Sequence, residues 1–181
     1  LLARPVGQPN RVAWRSDIAM NPASTMKLLK EKELDLLIPS LTQPVLGICL
    51  GMQMLLDESE EFGMASGLGL IPGRVAPIPS FGTSGQPLNR PHIGWSGLVL
   101  AGGRKDWQDN LLYDVSPGDA VYFVHSFMAN PKSPDYRIAD CLYGGIPISA
   151  VIGRDNVFGC QFHPEKSGEV GLKVLRRFLG L

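Results

Sequence analysis

An excess of either charge is missing from this sequence: 17 Lys and Arg residues face 17 Asp and Glu. With no basic block there is no electrostatic footprint for nucleic acid or an anionic membrane, so neither is expected as a partner. Paired cysteines are missing too. Cys49, Cys141 and Cys160 are odd in number and show no Cys-x-x-Cys spacing, which argues against a disulfide framework and for a reducing, cytoplasmic compartment. His92, His125 and His163 stand singly, and no ligand pair has the spacing of a zinc site, so no metal is expected. Long apolar runs are absent as well. The most apolar stretch, residues 44–56, contains two glycines and Gln53 and is shorter than the ~20 residues a spanning helix needs. No apolar segment follows the first arginines, so a secretory leader is not expected.

What is present suits one folded domain. At 181 residues, 44% hydrophobic and 19% charged, the chain can bury a core without disulfide or metal staples. Its 21 glycines and 15 prolines call for many turns. Ser24 is a candidate N-cap for a helix whose apolar face is Met26, Leu29, Leu36 and Leu37, ended by Pro39. A short buried strand is expected at 45–48 and a helix at 52–56. Residues 63–90 read as loops around a strand near Arg74 and Val75. Further strands are expected at 97–100, 120–124, 137–142, 148–152 and 157–162, with a closing helix at 168–179. Early strand–helix alternation followed by many strands points to an α/β core with a mixed sheet. Residues 1–21 carry no sustained apolar period and read as an atypical arm without a strand, leaving 22–181 as the folded domain.

Two short segments carry chemistry. The first is Gly47-Ile48-Cys49-Leu50-Gly51, at the junction of a buried strand and a helix. A nucleophile on such a tight turn needs small neighbours two residues away on either side, because their side chains would collide with adjacent backbone. Amides at the helix start also favour thiolate over thiol. A small cysteine packed in a glycine-rich turn explains the pattern equally well. The second is Phe162-His163-Pro164-Glu165. Proline biases His163 to an extended conformation, which lets Glu165 lie beside the imidazole and orient it. Alone, this is more simply a surface His–Glu pair. Together, both lie at the C-terminal ends of expected strands, where open α/β sheets build their sites. Cysteine, histidine and glutamate then make a thiol-nucleophile triad suited to acyl transfer through a thioester.

Residues 44–53, Pro-Val-Leu-Gly-Ile-Cys-Leu-Gly-Met-Gln, resemble the nucleophile region of class I (triad) glutamine amidotransferases, and Gly159-Cys160-Gln161-Phe162-His163-Pro164-Glu165 resembles their His-x-Glu segment. Pro91-His92-Ile93-Gly94-Trp95, Tyr122-Phe123-Val124-His125-Ser126 and Lys166-Ser167-Gly168 narrow the likeness to the glutaminase subunits of imidazole glycerol phosphate synthases. The resemblance implies a flavodoxin-like α/β fold with an open mixed, mostly parallel sheet flanked by helices. It implies that Cys49 attacks the side-chain amide of L-glutamine, that His163 handles the protons and that Glu165 orients it. It further implies glutamine binding by Leu50, Gly51, Gln53, Ser126 and Phe127, with the Leu50 amide as an oxyanion donor. Ammonia would pass to a (β/α)8 cyclase subunit docked near Gly94, Trp95 and Lys166. No cofactor is implied.

Three departures from the family pattern stand out. Phe127 replaces a usual tyrosine, and Ser96 a usual asparagine; both suit a paralogue serving sugar amidation in surface-polysaccharide synthesis. The third is at the start. Family members open with apolar strands and a Pro-Gly-Val-Gly loop that offers a second oxyanion donor, whereas residues 18–24 here are Ile-Ala-Met-Asn-Pro-Ala-Ser. Loss of one such donor costs about 10²–10³ in rate. This points to missing N-terminal strands, through a truncated or frameshifted start, and leaves a catalytically impaired, partner-binding remnant as an alternative. A thiol peptidase on a similar sheet is a third reading.

Overall fold

The computed structural model describes residues 12–15, 21–108 and 110–181, with the backbone course alone for 12–15. The first described element is a strand, β1 (Val12–Arg15), which pairs parallel with β2 (Val45–Ile48). This corrects the reading of residues 1–21 as a strandless arm; the remaining residues of that segment up to 20 lie outside the described ones.

Between β1 and β2 lies helix α1 (Pro22–Glu31), and its cap differs from expectation. Asn21, not Ser24, is the N-cap: its side chain accepts from the Ser24 amide, and Pro22 fills the first helical position, where no amide is needed. Glu33 then adopts a left-handed conformation (φ 57°) before a single turn, α2 (Leu34–Leu37). That break resets the helical phase. Met26 and Leu29 are buried, while Leu36 and Leu37 face solvent, so the expected continuous stripe ends at residue 31.

Strand β2 occupies the expected residues and is buried along its whole length, as a central strand covered on both faces must be. Helix α3 (Leu50–Gln53) is one turn long and starts two residues before the expected helix. Strands β3 (Glu58–Ser59), β4 (Ala65–Ser66) and β5 (Gly73–Pro77) follow. The chain continues through β6 (His92–Leu100), β7 (Ala120–His125), β8 (Phe127–Pro131), β9 (Arg137–Tyr143), β10 (Ile146–Arg154) and β11 (Val157–Cys160) to helix α4 (Gly168–Gly180). Strand β8 was not among the expected strands. It is held by antiparallel pairing to β5 in a small sheet ordered β4-β3-β5-β8.

The main sheet runs β1-β2-β11-β10-β9-β6-β7. It is mixed, as expected, but not mostly parallel: among the described residues, β1–β2 and β2–β11 are parallel and the other pairings are antiparallel. Two-residue turns explain part of this, since β9–β10 and β10–β11 are each joined by a link too short for a crossover helix. Side-chain alternation splits the core between two faces. Leu46 and Ile48 pack with Val174 and Phe178 of α4, whereas Val45 packs with Met26 and Leu29 of α1.

One register positions the site. Parallel β2 and β11 pair Ile48 with Cys160, so both strands end at the same level, and the Cys49 amide donates to the Cys160 carbonyl at 2.7 Å.

Candidate active site

Cys49 sits between β2 and α3 with φ 53° and ψ −111°, a conformation that side chains other than glycine's rarely adopt and that costs of order 1–3 kcal/mol. The bend is tight: a Cβ on Gly47 would lie 2.5 Å from the Gly51 carbonyl oxygen. The glycine requirement expected of an elbow therefore has a direct steric cause at residue 47. Helix α3 has only four residues, so the effect on Cys49 expected from a helix start reduces to the first-turn amides, including that of Leu50, which have no acceptor within the helix.

The three thiols differ sharply. Cys141 and Cys160 are fully buried, and burial pushes the Cys141 thiol up to about 12 and Cys160 higher still. Cys49 is partly exposed. Its Sγ lies 3.9 Å from the Val124 carbonyl oxygen and 3.9 Å from Gln161 Nε2.

His163 follows β11 in extended conformation (φ −100°, ψ 97°). Its amide donates to the Tyr122 carbonyl at 3.0 Å. Ser167 Oγ donates to the His163 carbonyl at 2.7 Å and accepts from the Tyr122 amide at 3.0 Å, so one buried hydroxyl fastens the histidine's backbone to β7. Glu165 reaches the ring from a 3₁₀ turn, Pro164–Lys166, not from a continuing extended segment; Nδ1 and Glu165 Oε1 are 2.9 Å apart. The ring is buried, and Nε2 has no hydrogen bond of full geometry. Interaction with Cys49, and then the hydrogen bond to Glu165, raise the His163 pKa to about 9 against the opposing effect of burial. The imidazolium is thus the resting form at neutral pH.

The glutamine-site candidates converge in part. Gln53 Nε2 donates to the Phe127 carbonyl at 3.2 Å, bringing α3 to the start of β8. Leu50 and Gly51 are buried in α3 beside Cys49. Ser126, at the β7–β8 bend, has its carbonyl taken by the Ile78 amide at 2.9 Å. Trp95 is 58% exposed on β6, and its ring meets Tyr122 edge-on at 5.9 Å. Gly94 precedes it at φ 137°, and Lys166 is exposed on the turn that carries Glu165. Ser96 does not belong to that outward face: its Oγ is 3.0 Å from His92 Nε2.

Sequence reasoning missed Gln161, and it assigned no role to His92 or His125. The two histidines meet because β6 and β7 pair in a register that sets them opposite each other, Nδ1 of His92 lying 3.2 Å from Nε2 of His125. Burial pushes His125 down to about 4, with the Phe127 carbonyl partly opposing the shift. The positive charge therefore rests on His163. Only the antiparallel register, invisible in the motifs, could have signalled this pair.

Comparison with known proteins agrees with this geometry. The family described as glutamine amidotransferase class-I matches residues 22–180. The chain is 56% identical over 137 residues to "Imidazole glycerol phosphate synthase subunit HisH 1" of Legionella pneumophila (strain Lens), covering 76% of this chain and 64% of that protein. It is 46% identical over 159 residues to the HisH subunit of Geobacillus thermodenitrificans (strain NG80-2), covering 86% and 71%. The chain thus spans about two thirds of these relatives' length. A glutamine amidotransferase structure from Thermotoga maritima superimposes with a TM-score of 0.61 at 18% identity, covering 99% of this chain and 64% of that one, which extends the likeness to the fold. Because the family match takes in both the cysteine elbow and the His-x-Glu turn that the sheet brings together, this chain belongs to the class-I glutamine amidotransferases.

Proposed function

We propose that residues 22–181 form the glutaminase component of a cytoplasmic imidazole glycerol phosphate synthase. Cys49 Sγ attacks the γ-carbonyl carbon of L-glutamine, and the Leu50 amide donates to the oxyanion. His163 Nε2 gives its proton to the departing nitrogen, so that ammonia leaves and a γ-glutamyl thioester remains. The now neutral ring takes a proton from water as its oxygen attacks the thioester, and the collapse releases glutamate and frees the Cys49 sulfur for another turnover. Glu165 holds the ring through Nδ1 at 2.9 Å. Ammonia passes to a (β/α)8 cyclase subunit, which forms imidazole glycerol phosphate and AICAR.

What supports this reading is a buried imidazole 2.9 Å from the Glu165 carboxylate, carried just past a strand that is laddered to the one ending at Cys49, with its pKa raised to about 9 by interaction with Cys49 and then Glu165. The 56% identity to a HisH subunit supports the acceptor chemistry. On the outward face of β6, Ile93 is 60% and Trp95 58% exposed, and the Trp95 ring meets Tyr122, whose carbonyl accepts from the His163 amide; this apolar surface fits a docked subunit.

The test is glutamine hydrolysis by the chain with a cyclase subunit, alongside Cys49→Ala. Activity that depends on the partner and vanishes in the variant is the expected result. Hydrolysis that survives the substitution removes Cys49 as nucleophile, and a wild-type complex that forms no Cys49 adduct with a glutamine-analogue electrophile leaves the impaired scaffold as the correct reading.

A further inference from the structure

Gln161 is fully buried, one residue past β11 and two before His163. Its amide is anchored to the Ala150 carbonyl at 2.9 Å, and the roles of its side-chain atoms follow from one carbonyl nearby. The Phe127 oxygen can only accept. His125 Nδ1 lies 2.8 Å from it and Gln53 3.2 Å, so both must present hydrogens to it. The nitrogen end of Gln53 therefore faces Phe127, and its Oε1 faces away. The second Nε2 hydrogen reaches Gln161 Oε1 at 3.3 Å. With its oxygen committed there, Gln161 turns its own nitrogen to Cys49 Sγ at 3.9 Å.

The pair of histidines completes the directional chain. His125 must carry its proton on Nδ1, so its Nε2 accepts from His92 Nδ1, and His92 Nε2 accepts from Ser96 Oγ. Neutral rings fit this arrangement, and burial lowers both His92 and His125. The Phe127 carbonyl is thereby pinned from one side by the histidines and serves Gln53 from the other.

We propose that Gln161 is a positioning residue that orients the Gln53 amide so that Oε1 accepts the α-ammonium of the substrate, while its own nitrogen donates to the Cys49 sulfur. A single buried carboxamide thus ties recognition of the amino-acid end of glutamine to the nucleophile. The inference rests on the glutaminase reading above and deepens it.

The experiment compares two amides in the complex with the cyclase subunit: L-glutamine, and glutaramate, which lacks the α-ammonium. Gln161→Met removes both hydrogen bonds, so kcat is expected to fall for both amides through loss of the donor to sulfur, and kcat/KM for glutamine to fall by about a further tenfold or more relative to glutaramate, the value of a hydrogen bond to a charged group. Gln161→Glu keeps an acceptor for Gln53 and loses the donor to sulfur, so the preference for glutamine is expected to stay within about threefold of wild type while kcat falls for both amides. Equal losses on both amides in the Met variant, at a melting temperature close to wild type, overturn the inference and leave the glutaminase reading standing. So does a Glu variant that loses the preference as fully as the Met variant. A wild-type complex that hydrolyses neither amide overturns the glutaminase reading itself, and this inference with it.

Discussion

Replacing Gly47 with alanine tests the elbow where it is tightest. The added Cβ would stand 2.5 Å from the Gly51 oxygen, 2.6 Å from the Gly51 carbonyl carbon and 2.7 Å from the Met52 nitrogen. All three are backbone atoms of α3, so no side chain can rotate away. Ordinary contact needs about 3.4 Å or more, and overpacking of this kind costs about 1–3 kcal/mol. Strand β2 cannot retreat, because Gly47 is laddered to both flanking strands, opposite Trp14 and Gly159. The first turn of α3 must then move by about 0.5–1 Å, carrying the Leu50 amide with it. Misplacement of about 1 Å costs on the order of 10²-fold in rate. Glutamine turnover in the cyclase complex is expected to fall by about that factor, with a melting temperature lowered by about 2–12 °C for a chain of this size. Gly180→Ala, where nothing lies within 4 Å of the added Cβ, is the matched control and is expected to leave both unchanged. An alanine variant at position 47 with turnover within threefold of wild type would refute the argument from close approach.

Two further variants carry expected outcomes. Glu165→Gln offers His163 Nδ1 an amide in place of a carboxylate 2.9 Å away; with a charge-assisted bond worth about 1.5–3 kcal/mol, kcat should fall about 10- to 150-fold with KM little changed, as steady-state kinetics would show. The same variant has a signature in stability. His163 binds its proton more tightly when folded (about 9 against 6.5), so the stability this contributes is complete below about pH 6.5 and is lost as pH rises through 9; urea melts across that window should show a smaller loss in Glu165→Gln, and an identical loss would remove Glu165 as a support of the charged ring. Trp95→Ala is expected to weaken cyclase binding by about 30-fold, as for a central aromatic of an interface, without slowing modification of Cys49 by a glutamine-analogue electrophile in the free chain; unchanged affinity by titration would place the docking surface elsewhere.

Much of this site was legible because its two halves are local. Gly47, Cys49 and Gly51 announce a turn that steric crowding alone demands, and His163-Pro164-Glu165 sets a base beside its carboxylate within three residues. Strand β2 was readable from an apolar run ending in glycine, and α4 from its periodicity. Other features were opaque for physical reasons. Glu33 breaks the first helix in a left-handed conformation that no glycine marks. Strand β1 has no apolar alternation to betray it, and exists through its ladder to β2. The preponderance of antiparallel pairing depends on which strands lie side by side, including β6 against β9 across the intervening β7 and β8.

The residue types alone decided that a thiol, an imidazole and a carboxylate were present at positions where strands end. They could not decide that these groups meet. That depends on β2 and β11 lying side by side in parallel register, which sets Cys49 within reach of Gln161, 112 positions away. Nor could they show that His92 and His125 stand face to face and pin the Phe127 carbonyl against which Gln53 is oriented. Hydrogen bonds between side chains of different strands are fixed by register and burial, and both belong to the folded sheet.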